Sequence, residues 1–400
     1  MAKGVVTQPA GFLAAGVACG IKRSGKPDLA LIHCPAGATA AAMFTTNRIV
    51  SAAVQVARRH AKSRRIFGLV INSGNANACT GRKGLDDALA MCKAAAGHIG
   101  ARPQEVLVAS TGIIGHALPM AKVKTGIHKA AAELSAKKAA AHDFAKAIMT
   151  TDTRCKEALE TLTISAKKIT IAGTVKGAGM IGPNMATTIS VITTDAAISG
   201  PMLHLAIKAA VGESLNKLTV DGHQSTNDTA IILASAAAGN PEIVRQCPRY
   251  HAFATALRAL CEQLTRQMAL DAEGATRMFK VVVTGAATQA EAARAARAVA
   301  DYDLVKCAVH GGDPNWGRII CAVGSCGVRL NPEKLACKIG HKAVFLKGKP
   351  VKFNPAQVSS IIKQQYHQIA IDLGAGRHTD FCYGCDLSRA YVTINADYHT

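Results

Sequence analysis

Between Lys176 and Asp195 the sequence reads KGAGMIGPNMATTISVITTD, a glycine-rich turn running directly into a β-type stretch. Ile169 to Val175, just before it, is rich in β-branched residues, so the segment predicts strand, turn, strand. Gly177, Gly179 and Gly182 satisfy G-x-G-x-x-G. A dinucleotide-binding loop, however, must continue into a helix whose N-terminus receives the pyrophosphate. Pro183 and a threonine-rich run follow instead, which rejects that reading. The layout suits a different chemistry, in which a constrained turn presses a hydroxyl against the preceding carbonyl and the strand behind holds it there. Ala186 and Thr187 supply that pair. Attack of the Thr187 hydroxyl on the Ala186 carbonyl would give an ester, and hydrolysis would leave a free α-amino group on Thr187. Such an amine has a reference pKa of about 7.7–8.0. It can accept the proton of its own residue's hydroxyl, so no Ser-His-Asp arrangement is needed. On spacing alone, an Ala-Thr pair opening a strand is more commonly just structure.

Composition narrows the class. The chain has 400 residues, 49% of them apolar and 18% charged, enough hydrophobic material for a large core in one to three domains. The N-terminal residues lack the basic, apolar and small-residue order of a secretory signal, and the apolar stretches, such as Ala230 to Ala238, are too short to span a bilayer. A soluble, cytoplasmic protein with no membrane partner is the expectation. Thirteen scattered cysteines fit reduced thiols. Cys382 and Cys385 form a single C-x-x-C, for which packed thiols are preferred over a metal site. The formal charge of +21 raises nucleic acid as a rival partner, yet aromatics are only 4% and the basic residues are dispersed. Short clusters at Arg58, Arg59, Lys62, Arg64 and Arg65 and at Lys137 and Lys138 come with no stacking stripe or recognition motif. A basic surface serving anionic substrates is preferred to nucleic-acid binding.

Strands are expected at Ile49 to Val56, Ile66 to Ile71, Val106 to Ala109, Ile169 to Val175, Thr188 to Thr193, Phe279 to Val283 and Ala390 to Ile394. Helical spacing marks Lys124 to Met149, Pro201 to Leu218, His251 to Leu270 and Thr288 to Val305, some too long for one uninterrupted helix. The order is mixed α/β, without the regular alternation of a doubly wound sheet or barrel.

A series of segments carries a resemblance along nearly the whole chain: GFLAAGVACGIKRSGKPDLALI, MFTTNR, INSGNANACTG, ASTGIIG, MTTDT, KGAGMIGPNMATT, VDGHQSTNDT, DAEGATR, GGDPNWGRI and CDLSRAYVTINADYHT. In order and spacing they resemble the glutamate N-acetyltransferase and ornithine acetyltransferase family. The resemblance implies a layered α/β autoprocessing N-terminal-nucleophile fold, shared with autoprocessing aminopeptidases. It implies cleavage into residues 1–186 and 187–400, intertwined rather than independent domains and paired as an α2β2 heterotetramer. Thr187 would be first the self-cleaving residue and then the acetyl-accepting nucleophile. Thr111 and Gly112 match the family's oxyanion hole, Lys176 its substrate-contacting lysine and Glu273 the acidic partner. Thr150, Asn395 and Thr400 match further substrate-binding positions. The implied reaction moves an acetyl group from N2-acetyl-L-ornithine to L-glutamate by ping-pong transfer in arginine biosynthesis. It requires neither metal nor cofactor, and acetyl-CoA remains open as a second donor. Two rivals stand beside it, an autoprocessed amidohydrolase with water as acceptor and a non-enzymatic basic binding protein. His223 and Gln224, and Tyr302 and Asp303, depart from the family's usual residues, which puts fine substrate tuning in question.

Overall fold

A computed structural model describes residues 4–182 and 188–397. Eight strands form the larger lobe: β1 (Leu13–Val17), β2 (Leu29–Phe44), β3 (Ile66–Asn75), β4 (Val106–Ile113), β5 (Lys156–Ile164), β6 (Lys167–Lys176), β7 (Ile189–Thr194) and β8 (Thr229–Ala234). Their hydrogen-bonded order is β4-β3-β2-β8-β7-β6-β5, with β1 also on β2. The long β2 serves two layers. Leu29–His33 pairs antiparallel with β3, whereas Thr39–Phe44 pairs antiparallel with β8, and the register shifts between His33 and Ala38. The sheet therefore folds over on itself.

The period-2 alternation of strand side chains then sorts the core into layers. Leu69 and Ile71 of β3 meet Ile189 and Val191 of β7 and Ile231 and Leu233 of β8 between the two halves. The intervening Val70 faces outward to α1 (Ala52–His60), α2 (Gly81–Ile99) and α3 (Met120–Ala132). On the opposite outer face, Ile192 and Ile232 pack under α5 (Gly200–Gly212) and α6 (Pro248–Leu270). Helix α4 (Lys138–Ala147) delivers Phe144 to the inner core, followed by Ile148. The result is helix, sheet, sheet, helix, the layered α/β arrangement expected.

A smaller lobe holds β9 (Met278–Ala286), β10 (Ala336–Ile339), β11 (Lys342–Leu346), β12 (Lys349–Pro350), β13 (Tyr366–Asp372) and β14 (His378–Cys385), ordered β12-β11-β10-β13-β9-β14. One face buries Phe279, Val281 and Val283 with α7 (Gln289–Asp301), α8 (Asp303–Gly311), α9 (Trp316–Ser325) and α10 (Pro355–Ile362). The other leans on α6, where the Tyr383 hydroxyl donates to Glu262 at 3.0 Å. The chain returns to the larger lobe through α11 (Arg389–Asp397). Among the described residues no helix is long and apolar enough to cross a membrane. Cys382 and Cys385 are buried thiols that desolvation pushes up to about 12 and about 11 respectively.

Two expected strands are helices. Ile49 to Val56 enters α1 because Ser51 caps it, its hydroxyl accepting from the Val54 amide at 3.3 Å, and the alanines that follow favour helix. Ala390 to Ile394 lies in α11, where tertiary polar contacts outweigh the β-branched residues. The expected helix Lys124 to Met149 divides into α3 and α4, and Thr288 to Val305 divides at Tyr302 into α7 and α8. Helix α4 seats directly on β1 because Gly16 has no side chain: a Cβ there would lie 2.1 Å from the Asp143 carbonyl oxygen. Gly16→Ala is therefore expected to cost about 1–3 kcal/mol of stability by forcing α4 off the strand. Urea unfolding beside wild type measures it, and an unchanged midpoint would contradict this packing.

Candidate active site

The strand ends on one side of the sandwich converge. Thr111 and Gly112 end β4, Lys176 ends β6, and the segment 221–228 leads into β8. Thr150 comes from the loop after α4, Glu273 from the loop after α6, and Asn395 from α11. Thr111, Gly112, Thr150, Lys176, Glu273 and Asn395 all line one cavity of about 320 Å³. Ala186, Thr187 and Thr400 lie outside the described residues.

Lys176 is buried, and its Nζ donates to the Thr111 hydroxyl at 2.9 Å. That bond fixes the polarity of the hydroxyl. A threonine oxygen accepts through lone pairs and donates one proton, so with the ammonium on its acceptor side the proton is left to face the cavity. Gly112 stands beside it with φ of +131°, and a Cβ there would lie 2.3 Å from the Gly74 carbonyl carbon. Only glycine fits, and its backbone lines the cavity wall without a side chain in the way.

Behind Lys176 is a buried charge cluster. Lys156 bridges Asp152 and Asp271, 2.5 Å from a carboxylate oxygen of each. Asp152 also accepts from the Gly177 amide at 2.7 Å and the Thr150 amide at 2.9 Å. Burial by itself would raise the Asp152 carboxyl, but Lys156 and Lys176 hold it well below the usual carboxylate range. Burial likewise lowers the basicity of Lys176, opposed chiefly by Asp152. Two carboxylates and two ammonium groups thus balance in the interior, which is the condition for keeping them charged there.

Other contacts fix the walls. Asn227 donates to the Ala76 and Ser110 carbonyls, both at 2.7 Å, tying the segment before β8 to the ends of β3 and β4. Asp228, fully buried, accepts from the Thr188 amide at 3.0 Å and so pins the first described residue before β7. Burial pushes its carboxyl well up, and its second oxygen has no partner among the described residues. Asp221 receives the Met180 and Ile181 amides at 2.8 and 2.9 Å, holding the glycine-rich turn. From α11, four residues apart on one face, Tyr391 donates to Asp221 at 3.0 Å and Asn395 to Glu273 at 2.9 Å.

Sequence reasoning missed Asp152, Asp221, Asp228 and Tyr391. Their segments, MTTDT, VDGHQSTNDT and CDLSRAY, were legible, but a carboxylate's role depends on what faces it. His223, one of the departures from the family's usual residues, lines the cavity rim with Nδ1 3.6 Å from Asp221, its side chain 69% exposed. The neighbouring Gln224 donates to the Thr46 hydroxyl at 2.7 Å. Tyr302 and Asp303 sit at the α7–α8 junction and form no part of the cavity lining, so that departure acts on the smaller lobe.

The sequence model of the ArgJ family matches residues 13–400. The arginine biosynthesis bifunctional protein ArgJ of Symbiobacterium thermophilum is 44% identical over 399 residues, spanning 99% of either chain. Its namesake from Geobacillus stearothermophilus is 41% identical over 401 residues, spanning 100% of this chain and 97% of that one. A crystal structure of the Bacillus halodurans protein of that name has 39% identity and a TM-score of 0.50, covering 52% of this chain and 97% of that chain.

Replacing Asp152 by Asn leaves two ammonium groups facing one carboxylate, and is expected to destabilise the protein by roughly 3–5 kcal/mol at pH 7. Because the native carboxyl is held low, its stabilisation is complete above the ordinary value of about 4 and is lost as pH falls toward the native value. The difference between wild type and Asp152→Asn should therefore shrink in acid. Urea titrations across that range test this; a pH-independent gap would mean the charge contributes nothing.

Proposed function

This chain belongs to the ArgJ family, and from that premise we propose that it cuts itself between Ala186 and Thr187 and then carries an acetyl group on the Thr187 hydroxyl. ArgJ-type acetyl transfer in arginine biosynthesis is its activity. The finer reading, with N2-acetyl-L-ornithine as donor and L-glutamate as acceptor, rests above all on the polarised Thr111 hydroxyl beside Gly112, at the strand ends where the chain enters β7.

In the first stage the Thr187 hydroxyl attacks the Ala186 carbonyl, the peptide nitrogen leaves as an amine, and water hydrolyses the resulting ester. Residues 1–186 and 187–400 are then separate chains. They cannot drift apart easily, since β6 of the first pairs with β7 of the second from Lys176 opposite Ile189 to Ile171 opposite Thr194, and β2 of the first pairs with β8 of the second. A solved relative that is covered almost completely yet matches 52% of this chain is what a protein divided near its middle would give.

In the second stage the new α-amine takes the hydroxyl proton, and the Thr187 oxygen attacks the acetyl carbonyl of N2-acetyl-L-ornithine. Negative charge develops on the carbonyl oxygen, for which the Thr111 hydroxyl and the Gly112 amide are suitable donors. Collapse returns the proton to the departing nitrogen, ornithine leaves, and the amine of L-glutamate repeats the attack on acetyl-Thr187. Lys176 suits a substrate α-carboxylate, and Glu273 with Asn395 suits a substrate ammonium group. An α2β2 assembly follows from the family premise, with Thr150 and Thr400 as additional substrate contacts. The relatives' designation as bifunctional supports testing acetyl-CoA as a second donor.

Intact-mass spectrometry of wild type and Thr187→Ala, followed by incubation with acetylornithine, tests the reading. Two fragments meeting at Ala186 and Thr187 are expected, with an acetyl increment on the second and none in the variant. An uncut, unacetylated wild-type chain would sink it. Acetyl-CoA in place of acetylornithine decides the second donor, and glutamate should discharge the acetyl group faster than water does. Thr111→Val is expected to slow acetyl transfer by about 100-fold or more while the fragments stay associated; near-normal turnover would remove Thr111 from the mechanism.

A further inference from the structure

A second cavity, of about 870 Å³, opens between the C-terminal end of α1 and the N-terminal end of α5, and shares no lining residue with the first. Its size is in the range of small-molecule sites, about 300–1,000 Å³. Thr39, Ala40, Ala41 and Ala42 of β2 form its floor, and such small side chains leave the space unfilled. The outer edge of this stretch has no partner strand among the described residues, so alternate backbone amides there add donors, interleaved with carbonyls. Arg58, Arg59, Lys62 and Arg64 line it, opposed by one carboxylate, Glu242. Arg58 is already committed, donating to the Thr45 carbonyl at 2.5 Å and lying over the Phe44 ring. Arg59, Lys62 and Arg64 are exposed and make no ion pair among the described residues. Across from them, Ser199 does not cap α5 with its side chain, so the first-turn amides that remain beside Pro201, which has none, also present positive ends.

We propose that this cavity binds a diphosphate-bearing anion, separately from the acetyl-transfer site. Three cations with no ion-pair partner among the described residues, a helix N-terminus and a floor of small side chains converge from different parts of the chain on one space. Guanidinium groups bind phosphate oxygens in pairs, and a low-dielectric groove focuses their field. Phe44, the one Phe, Tyr or Trp in the lining, is covered by Arg58, which leaves the imidazole of His204 as a lone stacking surface and favours a compact anion over a nucleic-acid strand.

Calorimetric titration of the wild-type protein with inorganic pyrophosphate, and separately with ADP, at about 0.15 M salt tests the proposal. Saturable binding is expected, about tenfold or more weaker in the triple variant Arg59→Ala, Lys62→Ala, Arg64→Ala, and stronger in Glu242→Gln. Acetyl transfer by the triple variant should match wild type. Tighter binding of ADP would identify a nucleotide as the source and equal binding a free diphosphate; both support the site. Absence of saturable binding, equal affinity in the triple variant, or displacement by acetylornithine would overturn it. A change of oligomeric state in the triple variant would overturn it as well, by showing the groove to be a contact between copies of this chain.

Discussion

The buried bridge from Lys156 to Asp152 and Asp271 is the interaction on which the active end of the sandwich depends. It joins the loop after α4, the first residue of β5 and the C-terminal end of α6 at a point closed to water. Asp152 then reaches the Gly177 amide, so the cluster also positions the end of β6 and with it Lys176. Losing any member strands a charge in the interior, where it costs far more than an exposed pair contributes. The order of the site is inherited from this balance: the cluster sets Lys176, Lys176 sets the Thr111 proton, and Thr111 stands beside Gly112.

The layered core explains why the site lies where it does. Folding β2 through both sheet halves brings the ends of β3, β4, β6 and β8 to one side, and polar side chains can gather there because the backbone ladders stop. Asparagine does much of the stitching. Asn72 accepts from the Ser110 hydroxyl at 2.6 Å and donates to the Asn75 carbonyl at 2.8 Å, while Asn227 spans to both strand ends. Each satisfies buried backbone carbonyls that a strand terminus would otherwise leave unpaired.

The smaller lobe completes the site from outside. Lys217 meets Asp380 at 2.6 Å, and the Thr219 amide donates to the Tyr383 carbonyl at 3.0 Å, which docks β14 beside the segment leading to Asp221. Asp386 then takes the Thr276 and Arg277 amides and His310, at 2.7, 2.8 and 2.7 Å. The GGDPNWGRI segment is spent on this junction: Asn315 caps α9, and Arg277 donates to the carbonyls of Val309 and His310 just before it. Beyond this junction α11 brings Tyr391 and Asn395 to the cavity.

The sequence by itself determined the strands β6 and β7 on either side of the glycine-rich segment, the mixed α/β class and, through spaced motifs, the family. Those signals are local: β-branched runs, glycine turns and short motifs keep their meaning without knowledge of neighbours. A local cap at Ser51 turns Ile49 to Val56 into helix α1, whereas tertiary contacts from Tyr391 and Asn395 decided that Ala390 to Ile394 is helical against weak β propensity. Tertiary structure alone revealed Asp152, Asp221 and Asp228 as parts of the site. A carboxylate in a sequence reads the same on a surface or in a core; what separates them is desolvation and the charge or amide across from it, over separations of 2 to 41 residues here.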